Sequence, residues 1–170
     1  PEATVRAETK TGSDLVFDPV VKRLADVEPE SVRWLWPNRI PLGRITLVVG
    51  RPGVGKSFVC MDIAARVTIG TAWPDGKPCE KGSVMILSLE DDPADTIRPR
   101  LDAHDADVSK AFLLKAVRFT DPDGKPGERA ITLEDITALE EAIARCPDCR
   151  LLIIDPIGDF IGRQTDIFKD

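Results

Sequence analysis

The chain contains no tyrosine, and aromatic residues make up only 5% of its 170 residues. Proteins that hold single strands without reading them stack bases on aromatic faces, so such a platform is scarce here. A surplus of positive charge is missing too. Lys and Arg total 23 against 29 Asp and Glu, a net charge of −6. That excludes a chain that coats DNA or RNA by charge alone. There is one histidine, His104, and the four cysteines are scattered. This suits neither a zinc site with its usual four ligands nor a secreted disulfide scaffold. No run approaches the roughly 18 apolar residues of a spanning helix. The N-terminus lacks the basic-then-apolar pattern of a secretory signal. The expectation is a cytoplasmic protein with no membrane partner.

What is present fits a soluble globular domain: 42% hydrophobic and 31% charged residues. A chain this long buries about two-thirds of its unfolded surface, enough for a core without staples. The first residue is Pro1 rather than Met, and the reading is a piece of a longer chain. Residues 1–33 read as a polar lead-in, with a possible short helix capped by Asp18 and running to Val27. Residues 34–170 read as one core. Within it, Trp34 to Gly43 carries two prolines and reads as an extended approach. Short apolar runs at Ile45–Val49, Val84–Leu89, Phe112–Val117 and Leu151–Asp155 read as buried parallel strands. Between them, helices are expected over Lys56–Ile69 (closed by Gly70), Pro93–Ala103 (capped by Asp92, disturbed by Pro99) and Thr132–Arg145. Asp121–Gly127 reads as a loop. Strands alternating with helices predict an α/β fold with a mostly parallel sheet flanked by helices.

The strongest motif is Gly50-Arg51-Pro52-Gly53-Val54-Gly55-Lys56-Ser57. It matches G-x-x-x-x-G-K-[ST] in full, between an expected strand and an expected helix. The glycines let the backbone curl until several N–H groups point at one phosphate, and the helix N-terminus adds partial positive charge. Lys56 would reach the β- and γ-phosphates, and the Ser57 hydroxyl would ligate Mg²⁺. The segment from Gly50 through Phe58 is therefore the nucleotide-binding candidate. Such a site also needs an acid at the end of another buried strand. Asp155 follows Leu151-Leu152-Ile153-Ile154 and would hold a magnesium-bound water.

Hydrolysis further needs a group to deprotonate water near the γ-phosphate. The residue after Asp155 is Pro156, which excludes an acid there. The neighbouring strand end, Ser88-Leu89-Glu90-Asp91-Asp92, supplies one instead. Glu90 is the candidate catalytic base, acting with Lys56, and Asp91 could support it or the metal.

Together these residues resemble a known family. The phosphate loop, Leu87-Ser88-Leu89-Glu90-Asp91-Asp92, Thr96-Ile97-Arg98-Pro99-Arg100-Leu101, Leu152-Ile153-Ile154-Asp155-Pro156-Ile157 and the earlier Trp34-Leu35-Trp36-Pro37-Asn38-Arg39-Ile40-Pro41-Leu42-Gly43 are similar to RecA-like P-loop ATPases of the RepA helicase type. The likeness runs from about Trp34 to Gly162. It implies a RecA-like P-loop NTPase core, ATP hydrolysis with Mg²⁺, a homo-oligomeric ring (often a hexamer), and work on DNA in replication or recombination. In that family the strand-end Glu is the base, which matches Glu90. The family continues past the Asp strand with a sensor, DNA-facing loops and a residue reaching the neighbour's ATP. This chain stops at Asp170, so the resemblance implies truncation after the Walker B strand, DNA contact through a longer parent, and weak turnover alone.

Other signals read more plainly. Cys146-Pro147-Asp148-Cys149 reads as a turn, since no second ligand pair accompanies it. Asp155-Pro156-Ile157-Gly158 matches D-x-x-G, but the N-K-x-D of a GTPase is absent. Trp34, Trp36 and Trp73 read as packing rather than base stacking. Arg98 and Arg100, like Asp102, Asp105 and Asp107, read as solvated surface. Two other functions use the same loop: a P-loop small-molecule kinase, and a non-catalytic nucleotide-sensing assembly module.

Overall fold

The computed structural model describes residues 19–161. Two compact units are distinct, Pro1–Ser31 and Val32–Asp170. In the first, the described residues form one short 3₁₀ turn, Leu24–Asp26, closed by an exposed Arg23–Asp26 ion pair. The helix expected from Asp18 is reduced to this turn, and its cap at Asp18 lies outside the described residues.

The second unit is organised by strand β3, Ser83–Leu87, buried along its whole length. It pairs in parallel with β4 (Ala111–Leu114) on one side and β7 (Cys149–Ile154) on the other. Successive side chains of a strand point to opposite faces, and β3 shows the consequence. Val84 and Ile86 enter a cluster with Met61, Ala64 and Val67 of helix α1 (Lys56–Ile69). Met85 and Leu87 enter a second cluster with Leu139 of helix α3 (Ile136–Ala144). A helix therefore covers each face, and the α/β arrangement read from the sequence is present.

Helix α1 runs over the expected residues and ends where Gly70 adopts φ +78°, its N–H donating to the Arg66 carbonyl at 2.8 Å. This is the left-handed stop that glycine permits without strain. After β3, the Asp92 carboxylate accepts the Ala94 and Asp95 N–H groups. The chain then makes a wide π-type turn, Pro93–Ile97, before helix α2, Arg98–Ala103. Pro99 sits at the second position of α2, directly behind that wider turn.

Four expectations need correction. Ile45–Val49 is not a strand. It finds no backbone partner among the described residues, and Ile45, Leu47 and Val49 are 85%, 66% and 86% exposed. A strand exists only by pairing, and this run lines a cleft of about 730 Å³ against β7 instead of joining the sheet. Conversely, Trp34–Gly43 is not simply extended. Trp34–Trp36 (β1) and Ile40–Pro41 (β2) pair antiparallel across a turn in which Asn38 takes φ +64°. The third expected strand breaks at Lys115, and Ala116–Thr120 (β5) turns away to pair with Pro126–Ala130 (β6), inside and beyond the expected loop. Finally, α3 starts at Ile136, not Thr132. The Asp135 carboxylate accepts the Thr132 N–H and hydroxyl, which leaves half of a capping box in place one turn before the helix.

Two of the tryptophans, Trp36 and Trp73, pack as the sequence suggests, whereas Trp34 is exposed. Trp73, 2% exposed, stacks on Trp36 with centroids 4.5 Å apart and donates its indole N–H to the Leu35 carbonyl. The Trp36 indole N–H donates to Asp75, and the Arg39 guanidinium lies over the Trp36 ring. No helix among the described residues is long and apolar enough to cross a membrane.

Truncating Trp73 to Ala removes the centre of this stack and should cost about 3–5 kcal/mol, read by urea unfolding. A loss within a few tenths would contradict its place in the core. A second expectation concerns acid. The Arg129 guanidinium, then the Thr132 N–H, hold the Asp135 carboxyl well below the usual carboxylate range. A lowered folded pKa gives stability that is whole above about pH 4 and lost as pH falls through the folded value. Asp135→Asn should therefore narrow the stability gap between neutral and acidic solution, measured as thermal midpoint against pH.

Candidate functional site

The segment Gly50–Ser57 runs from the unpaired extended stretch into α1. Gly53 and Gly55 hold φ +79° and +89°, a region that residues with a Cβ enter only under strain. Arg51, Pro52, Gly53 and Val54 are exposed, whereas Gly55, Lys56 and Ser57 are half-buried. The first intrahelical bond recorded in α1 is from the Val59 N–H to the Gly55 carbonyl, and no side chain caps the helix. The N–H groups of Lys56, Ser57 and Phe58 thus stand at an uncapped helix start, the set of donors an anion satisfies. The Lys56 ammonium folds back onto the Gly50 and Arg51 carbonyls, 3.1 Å from each. Those neutral acceptors would yield to a phosphate, which offers charge as well as lone pairs.

Asp155 lies just past β7, its N–H donating to the Leu87 carbonyl at 3.0 Å. The ends of β3 and β7 are thereby locked level, with Leu87 opposite Ile154. Asp155, Lys56 and Cys60 line the same cleft. Burial, and then the Asp155 charge, raise the Cys60 thiol pKa. The Asp155–Pro156 peptide is cis.

Glu90 stands exposed, three residues past the end of β3 and outside the lining of that cleft. Its neighbour Asp91 is committed elsewhere: it accepts from the Arg100 guanidinium at 2.7 Å, both side chains about one-quarter exposed. Arg100 also lies 5.0 Å over the Phe58 ring. The reading of Arg100 as solvated surface is therefore wrong. It joins the acidic strand end to the residue after Ser57. Asp91, in turn, is not free to support a metal. Arg98 pairs with Asp102 in the open, as a surface helix pair does. The Arg100 link escaped the sequence because it joins three separate elements. The only local cue was an arginine among acids.

A family model described as an AAA domain matches residues 11–166. The chain belongs to the AAA domain family. This AAA domain is a P-loop NTPase of α/β architecture, an ATP-binding ATPase in broad class, with a three-stranded parallel sheet between helices. No curated protein and no solved structure matches the chain.

The residues also fit a nucleotide-borne cation. Among the described residues no three His, Cys, Asp or Glu gather to hold a metal ion. Ser57 and Asp155 offer only two hard oxygen donors. That suits Mg²⁺, which keeps several waters and takes its other oxygens from phosphates rather than from a protein cage.

The Arg100–Asp91 pair should show in a double-mutant cycle. Arg100→Ala and Asp91→Ala are expected to couple by about 1–2 kcal/mol in denaturant unfolding, as contacting charged residues do. Additive losses would mean the pair contributes nothing.

Proposed function

We propose that this chain carries a RecA-like ATPase core of the RepA helicase type over residues 34–170, preceded by the lead-in 1–33. The supporting observation is the shared cleft of Lys56 and Asp155 beside an uncapped helix start. The triphosphate of ATP lies on the backbone of Gly50, Arg51, Pro52, Gly53, Val54, Gly55, Lys56, Ser57 and Phe58, with Lys56 on its outer phosphates. Ser57 and Asp155 would hold Mg²⁺, which would supply charge neutralisation on the phosphate oxygens. Glu90 takes the proton of the attacking water. Its exposed place at the end of the central strand leaves it free to do so, since Asp91 and Asp92 are engaged by Arg100 and by the following turn.

Phosphoryl transfer of this kind depends on positioned positive charge, and an arginine donated by a neighbour contributes about 10³–10⁵ in rate. The homo-oligomeric ring is thus part of the proposal, and the lone chain turns over slowly. DNA as the track rests on the likeness of the quoted motifs to RepA-type helicases. The acidic net charge leaves DNA contact to local loops of the assembled ring rather than to the surface as a whole.

Glu90→Gln provides the test. In the assembled protein it should keep ATP affinity, measured by calorimetry, and lower phosphate release by about 10²–10⁴. Lys56→Ala should weaken nucleotide binding itself. Turnover retained in Glu90→Gln removes the base assignment. Phosphate release unaffected by single-stranded DNA removes the helicase reading while leaving the ATPase.

A further inference from the structure

The sequence reads Cys146-Pro147-Asp148-Cys149 as a turn, and the structure shows which turn. The chain bends at Pro147 and Asp148, and Asp148 takes φ +52°. Proline followed by a left-handed residue is the type II pattern, which brings the first and fourth Cα atoms within about 7 Å. A disulfide needs Cα atoms about 4.4–6.8 Å apart, and a turn of this kind sets its outer positions, here the two cysteines, near that range. Both also belong to one apolar cluster: Cys146 is buried in it and Cys149 is packed against it. The turn is held from outside as well. The Asp148 carbonyl accepts the Ser83 N–H at 2.9 Å, and Gly82 leaves no room between this turn and Arg150.

We propose that Cys146 and Cys149 are a dithiol that closes to a disulfide in exchange with a small-molecule disulfide of the glutathione class. Half-buried Cys149 is the thiol such a reagent reaches. Its thiolate attacks one sulfur of the oxidised tripeptide, forming a mixed disulfide and releasing one thiolate. Cys146 then loses its proton and attacks the Cys149 sulfur, expelling the second tripeptide thiolate. Each released thiolate takes up a proton. In balance, the protein dithiol is oxidised and one disulfide is reduced to two thiols.

The buried partner bears on direction. Burial, and then contact with Cys149, push the Cys146 thiol up to about 11. The reduced state therefore gains nothing from a stabilised thiolate, the feature that makes strongly oxidising dithiols easy to reduce. The two remaining thiols lack this arrangement. Cys60 sits on α1, and Cys79 is buried with its pKa likewise raised to about 11, so neither has a partner three residues away.

The test uses the whole chain incubated with oxidised and reduced glutathione at graded ratios, then alkylation, digestion and mass spectrometry. The expected result is a peptide carrying an internal Cys146–Cys149 link, with complete loss of alkylation at both positions, while Cys60 and Cys79 still alkylate. Cys149→Ser should abolish the link and leave Cys146 unmodified by glutathione. Because Cys146→Ser disturbs a buried position, the wild-type peptide map carries the decision. Free Cys146 and Cys149 under fully oxidised glutathione would overturn the proposal. So would a glutathione adduct that persists on Cys149 without closing, or a link between Cys60 and Cys79 in its place.

Discussion

The double burial of β3 is the constraint from which the rest of the second unit follows. A five-residue strand with no exposed position must have a neighbour on each edge and a cover on each face. β4 and β7 supply the edges, α1 and α3 the covers. Because the three strands are parallel, their carboxyl ends emerge on one side of the sheet. In open α/β sheets, that side is where ligands bind. Asp155 and the Glu90 loop are therefore neighbours by topology before any chemistry is asked of them. The bond from the Asp155 N–H to the Leu87 carbonyl sets their level.

The parts governed by local chemistry were readable. Lys56–Ile69 was visible from its apolar spacing and its glycine stop, β3 and β7 from unbroken aliphatic runs, and Asp92 from the proline behind it. Each of these depends on residues within a few positions of one another. The parts that failed depend on distant pairing. Ile45–Val49 has the composition of a central strand, but composition supplies no partner. β5 and β6 failed in the opposite sense. Arg118, Glu128 and Arg129 give the hairpin no apolar alternation, and a cross-strand register forms it nonetheless.

The same division runs through the candidate site. The phosphate-loop residues and Asp155 follow from spacing, because the backbone conformation they require is written in glycine and in strand length. What surrounds them was not legible. Cys60 beside Asp155, and Arg100 bridging Asp91 and Phe58, are side-chain meetings between elements many residues apart. The run Glu90-Asp91-Asp92 shows the point most clearly. Three adjacent acids look interchangeable in sequence, yet Asp91 is ion-paired, Asp92 caps a turn and Glu90 does neither.

The unpaired stretch ahead of the phosphate loop has a material cost. Its backbone amides and carbonyls, together with the open side of β7, form a ready template for any extended peptide, including the same stretch in another molecule. Aliphatic side chains at that rim strengthen the attraction. Self-association of this chain in concentrated solution would start at that margin rather than in the tryptophan-anchored interior.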